Sequence, residues 1–302
     1  MGRFDGQIVV VTGAGGGIGR AHALLFASEG ASVVVNDYGG DSHGHAGTSA
    51  MADEVVAEIT KTGGTAVADA HDVAKDGAGV IATAVDAFGG IHIVVNNAGI
   101  AGGGDVDEIP IEDYERMIAI HLGGTVKVTR AAWPLMRAQG YGRIVNTSSA
   151  SVFGLPGTFP YITAKAALFG LTRAWSHDGK KHDIKVNAIM PSAYSRLTAQ
   201  SEDFSALMLA GFPAERISPF VAALCTREAP CTGETFVVGG GRAARVVLAT
   251  VPGMTDIAGI DDVLARFDEA MAVDDLTIPP NAFVQVMYEC EQIGLDLGAL
   301  ES

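Results

Sequence analysis

Basic residues are scarce in this chain: 20 Lys and Arg stand against 35 Asp and Glu, a formal net charge of −15. No broad positive surface can be assembled from that balance. Nucleic acid is therefore not an expected partner, although an anionic small molecule needs only a local cationic site. Cysteine is nearly missing. The three thiols, at Cys225, Cys231 and Cys290, are odd in number and lack metal-ligand spacing. They read as reduced thiols of an intracellular, cytoplasmic protein. Long apolar runs are missing too. Stretches such as Ile8–Val11 and Ile91–Val95 have the length of strands, far short of a bilayer span, so no membrane partner is expected. The N-terminus runs straight into a strand, and neither signal peptide, myristoylation site nor peroxisomal tripeptide is expected. No His-Glu-x-x-His spacing occurs among the eight histidines. Asp41, His43 and His45 could be drawn as ligands, but a polar Gly-rich loop accounts for them better, and no metal site is expected.

What remains is a chain of 302 residues, 48% hydrophobic and 18% charged, long enough to bury a full core. Strand-length apolar runs end near Thr12, Asp37, Asp72 and Asn96. Each is followed by a stretch of helical periodicity, over 17–29, 49–62, 76–88 and 111–139. A strand at 143–147, a helix at 161–176 and strands at 185–190 and 234–238 extend the series. Alternation of this kind predicts an α/β fold, a Rossmann-type doubly wound parallel sheet with its ligand crevice at the carboxyl ends of the strands. Residues 191–213 break the rhythm and are equally readable as an apolar lid or as a core helix. The expected organisation is one domain over 1–241 with a helical C-terminal extension, 242–302. That extension carries helical patterns at 260–273 and 281–292, and it should pack on the core or on a second subunit.

Between the first strand and first helix lies Thr12-Gly-Ala-Gly-Gly-Gly-Ile-Gly19. Glycines there permit a tight turn and close backbone approach, and the helix N-terminus offers N–H groups to a pyrophosphate. Gly13, Gly17, Ile18 and Gly19 are the expected contacts. Asp37 closes the second strand, where a carboxylate accepts from a ribose 2′-hydroxyl and repels a 2′-phosphate. No cation stands at position 16 or just after 37, so NAD is favoured over NADP. Asp72 and Val73 are placed for adenine, and Asn97, Ala98 and Gly99 close the fourth strand.

Tyr161 and Lys165 are four residues apart on a helix, so phenol and ammonium share one face. A cation about 4 Å away, at an effective dielectric of about 20, would favour phenolate by roughly 4 kcal/mol. That is about three pKa units, enough to make the phenol a base near neutrality. Ser148, Ser149 and Ser151 precede it by 13, 12 and 10 residues. A serine hydroxyl beside the phenol could hold a substrate oxygen.

In order and spacing, Thr-Gly-x-x-x-Gly-x-Gly, Asn-Asn-Ala-Gly, the strand-end serine and Tyr-x-x-x-Lys resemble the short-chain dehydrogenase/reductase family over residues 4 to about 240. The resemblance implies Tyr161 as acid/base, Lys165 as the partner of the nicotinamide ribose, and Ser149 as the group positioning carbonyl or alcohol. Within the family, Arg3-Phe-Asp-Gly6, Val35–Asp41, Thr129–Pro134 and Thr147–Ser151 are similar to the dehydrogenase parts of type 2 peroxisomal multifunctional enzymes. That subgroup oxidises (3R)-hydroxyacyl-CoA thioesters with NAD. The implied substrate is an acyl-CoA, with a hydroxysteroid or another free secondary alcohol as the alternative, and the implied assembly is a homodimer or homotetramer. Four features depart from these patterns. His121 replaces a helix Asn that supports a proton-relay water in the wider family. Pro191-Ser192 replaces the usual Pro-Gly after the sixth strand. Ala101-Gly-Gly-Gly104 replaces residues that tend to be charged in the subgroup. The interval from Ser149 to Tyr161 is one residue short.

Overall fold

The computed structural model describes residues 2–40, 47–193 and 208–295. Asp41, His43 and His45, and residues 194–207 of the stretch readable as lid or core helix, lie outside the described residues. The strands form one sheet in the order β3-β2-β1-β4-β5-β6-β7-β8. They are β1 Ile8–Thr12, β2 Ser32–Asn36, β3 Thr65–Asp69, β4 Ile93–Asn96, β5 Gly142–Thr147, β6 Ile184–Ser192, β7 Thr235–Gly239 and β8 Arg242–Val246. Pairing from β3 to β7 is parallel throughout.

Period-two alternation divides the apolar residues between the two faces of the sheet. Val9, Val11, Val33, Val35, Ile93 and Val145 point to one face. There they pack with Phe26, Ile59 and Val221 from α1 (Gly17–Ser28), α2 (Ala50–Lys61) and α7 (Ser218–Cys225). Val10, Val34, Val94, Ile144 and Val186 point to the other. They meet Val80, Ile81, Ala132 and Met136 from α3 (Val73–Phe88) and α5 (Thr125–Gln139). Both faces are thus dry, as a parallel sheet requires. Strand order reverses between β1 and β4, which fixes the crevice at their carboxyl ends.

Three departures from the sequence reading have local causes. β3 stops at Asp69, because the Asp72 carboxylate accepts from Ala74 N–H at 2.9 Å and caps α3. The apolar pattern over 111–139 is three pieces: α4 (Ile111–Ile118), a π-helical turn (Ala119–Gly124) and α5. The sheet also runs past residue 241. Gly240 and Gly241 have φ of 58° and 84°, the two-residue turn that joins antiparallel strands, and β8 follows as the edge.

The chain divides into compact units, Met1–Arg245 and Val246–Ser302. In the second, Thr250 and Thr277 exchange backbone hydrogen bonds of 2.9 Å. Its helices are α8 (Ile260–Ala265), α9 (Phe267–Met271) and α10 (Ala282–Gln292). None of them has a buried residue, and Ile260, Leu264, Phe267 and Met271 are exposed. Among the described residues no helix is long and apolar enough to cross a membrane, and no cluster could hold a metal. All three cysteines are free.

Candidate active site

The glycine-rich turn is latched from β4. Thr12 Oγ1 accepts the N–H groups of Asn97 and Ala98 at 3.0 Å each, and Asn97 Nδ2 donates to the carbonyls of Thr12 and Gly13 at 3.0 and 3.1 Å. The side chain of Asn97 therefore holds the turn. Gly13 (φ 63°) also passes so close to the segment after β4 that a Cβ would lie 2.8 Å from the Ala98 Cα. Behind this latch a buried polar ladder crosses the sheet. Asn96 Nδ2 donates to Thr129 Oγ1 (3.0 Å) and Asn146 Oδ1 (2.9 Å), and Asn146 donates to Thr172 Oγ1 (2.9 Å) on α6 (Phe159–Gly179). Sequence reasoning took Asn96 only as a strand end, and it missed Asn146 and Thr172, because isolated polar residues in strands and helices carry no pattern.

Asp37 accepts from Gly15 N–H at 2.8 Å and Gly39 N–H at 2.7 Å, one on each oxygen. A carboxylate has about four lone-pair sites, so capacity remains for a diol. The N-cap of α1, Gly16, has no side-chain cap, so no side chain competes for the N–H groups of the first turn. Uncapped amides, a cradle of glycines and a carboxylate at the end of β2 together fit a dinucleotide. Asp72 is spent on its own helix and on Lys75, 3.1 Å away. Val73 is buried against the π-helical turn, where a Cβ on Gly124 would come within 2.7 Å of it. Both side chains are thus engaged within the protein.

Geometry separates the three serines. Ser148 is buried and donates to the Lys165 carbonyl at 2.8 Å. Ser149 hydrogen-bonds the Tyr161 phenol. Ser151 donates to Ser149 Oγ at 2.8 Å. Lys165, on the same helix face as Tyr161, donates from Nζ to the Thr147 carbonyl at 2.6 Å and lies 5.6 Å from the Tyr161 ring centre. Burial pushes its ammonium down to about 7. It also holds the phenol above its usual range, with the Ser149 hydrogen bond pulling the other way. The expectation of a strongly acidified phenol thus fails in the free protein. Burial outweighs the Ser149 hydrogen bond at the phenol, and the Lys165 ammonium is itself starved of solvation.

His121 sits in the π-helical turn and is buried. Its ring stands edge-on to Tyr161, with centroids 5.2 Å apart and an interplanar angle of 89°. Nε2 lies 3.0 Å from the Ile100 carbonyl oxygen and 3.1 Å from the Ile100 nitrogen. Either tautomer finds a partner there, whereas buried Nδ1 has none. Burial, then the Lys165 charge, holds the imidazole well below its usual pKa, so it is neutral. Ser149, Tyr161, Lys165 and His121 thus converge beside the glycine cradle.

The short chain dehydrogenase family model matches residues 7–205. A short-chain type dehydrogenase/reductase of Mycobacterium tuberculosis is 44% identical over 268 residues, covering 87% of this chain and 93% of that one. Peroxisomal multifunctional enzyme type 2 of Mus musculus is 45% identical over 242 residues, 79% of this chain but only 32% of the mouse protein. The crystal structure of a short chain dehydrogenase from Mycobacterium avium superposes with a TM-score of 0.78 at 39% identity, covering 89% of this chain and 97% of that one. The chain belongs to the short-chain dehydrogenase family and is an oxidoreductase of the Rossmann type, related to the dehydrogenase part of the peroxisomal multifunctional enzymes.

Proposed function

We propose that the chain oxidises the secondary alcohol of a 3-hydroxyacyl-CoA to the 3-ketoacyl-CoA, with NAD as acceptor. The observation that carries this reading is the convergence of Ser149, Tyr161 and Lys165 in a chain 45% identical to peroxisomal multifunctional enzyme type 2. NAD would accept the hydride. It would be held by the turn at Gly13–Gly19, by Asp37 through ribose hydroxyls, and by Lys165 through the nicotinamide ribose. A second oxygen partner on the Lys165 ammonium would raise its hold on its proton, and a charged Lys165 favours the phenolate form of Tyr161. Tyr161 then takes the alcohol proton while Ser149 donates to the same oxygen and fixes its position. In this reading His121 positions a water through Nδ1 and links Lys165 to solvent.

A second reading, a dehydrogenase of hydroxysteroids or other free secondary alcohols, is favoured by the charge of one segment, the loop before α4 and the first turn of that helix. Asp105, Asp107, Glu108, Glu112 and Asp113 are exposed. The Gly104 N–H that precedes them bonds the Gly157 carbonyl at 2.8 Å, beside the Tyr161 helix. Acids there disfavour the phosphates of a CoA. Initial rates with NAD on 3-hydroxyacyl-CoAs of several chain lengths, against the corresponding free alcohols and 17β-hydroxysteroids, separate the readings. Turnover confined to free alcohols would overturn the first. The exposed apolar residues of the C-terminal unit support a homodimer or homotetramer, which sedimentation would establish.

A further inference from the structure

Ser149 Oγ takes two hydrogen bonds from one residue. The Ser151 N–H donates at 3.2 Å and the Ser151 hydroxyl lies 2.8 Å away. The backbone bond caps the short turn Ala150–Phe153 and exists whatever side chain stands at 151. The hydroxyl contact is additional. A serine oxygen has two lone pairs and one proton. When an electron-rich oxygen, a phenolate or a developing alkoxide, faces Ser149, its single proton must point there. Both lone pairs are then directed back at Ser151, which is where two donors stand.

We propose that Ser151 is a positioning residue: by donating to Ser149 it fixes the direction of the Ser149 proton toward Tyr161 and the substrate oxygen. Without it, the Ser149 hydroxyl keeps only the backbone donor and regains a free lone pair and rotational freedom. Donors in a chain also polarise one another, so the outer hydroxyl strengthens the inner one. The inference rests on the reading of Tyr161 as the acid/base group.

The test reads the phenol itself. Enzyme labelled with ¹³C at the tyrosine ζ carbon, saturated with NAD, is titrated by NMR from about pH 6 to about pH 11, with the Tyr161 resonance assigned by its loss in Tyr161→Phe. Ser151→Ala should raise the Tyr161 pKa by about half a unit or more, as loss of one modest hydrogen bond implies. Ser151→Thr, which keeps the hydroxyl, should restore it. Ser149→Ala should raise it further, and adding Ser151→Ala to Ser149→Ala should change nothing, because Ser151 then has no hydroxyl to direct. An unmoved pKa in Ser151→Ala overturns the inference, and so does an equal shift in the Ser149→Ala background, which would mark a general disturbance of the turn. If Tyr161 of the parent protein fails to titrate over that range, the acid/base reading fails and this inference falls with it.

Discussion

The His121 imidazole occupies the space that a side chain on Gly99 would need: a Cβ there would stand 2.9 Å from Nδ1 and closer still to Cε1. The last glycine of Asn-Asn-Ala-Gly thus makes room for a histidine 22 positions later. Gly99→Ala should displace the buried ring, cost about 1–3 kcal/mol of stability and lower turnover. The smaller side chain of His121→Asn should relieve much of the loss. Denaturant unfolding and initial rates of the two single variants and the double variant would check this. An undisturbed Gly99→Ala protein would show that the ring has room to move. His121→Asn alone should keep most activity, and His121→Leu should cut turnover more than NAD affinity.

Lys165, functional in the proposed reading, is held at a cost to the fold. Its pKa falls from an ordinary 10.5 to about 7 through burial, so the unfolded chain binds its proton more tightly than the folded one. The contribution to stability is complete above about pH 10.5 and is lost as pH falls toward about 7. Lys165→Met, which keeps the length without the charge, should therefore raise the melting temperature of the free protein at pH 7–8 by at least about 2 °C. The gain should shrink toward pH 10.5, and turnover should be lost. Calorimetry across that range measures it. A lower melting temperature at pH 7 would mean that the ammonium is better satisfied than its surroundings indicate.

The proposed preference for NAD rests on Asp37. NAD should be used at least about tenfold more efficiently than NADP, because the carboxylate repels a 2′-phosphate. Asp37→Ala should narrow the gap. It should also loosen the glycine turn, since the Gly15 and Gly39 amides lose their acceptor. The variant should therefore bind NAD more weakly, as well as less selectively. Equal kcat/KM for the two cofactors in the parent protein would contradict the assignment.

Much of this was readable in the sequence, for reasons that can be named. The β1 turn, Asp37 and the pair Tyr161 and Lys165 are local signals, set by spacings of a few residues on one element. What the sequence could not show depends on partners distant along the chain. Asn97 looks like a turn residue until Thr12, 85 positions earlier, is seen to share its hydrogen bonds. Ser148 and Ser149 are equivalent in sequence. Only the alternation of the extended backbone that continues past β5 turns one to the Lys165 carbonyl and the other to the phenol. The π-helical turn leaves an apolar period unbroken, so 111–139 reads as one helix. β8 was missed because Gly239-Gly-Gly241 looks like an ending when it is a hairpin.

The most direct test is the rate of NADH formation by Tyr161→Phe on the best alcohol found for the parent protein. The ring keeps its packing against His121 and only the hydroxyl is lost. Turnover should fall by at least about 10²-fold, the scale of a missing general acid–base group, while NAD affinity stays near that of the parent. A Tyr161→Phe protein that turns over at close to the parent rate would contradict the account.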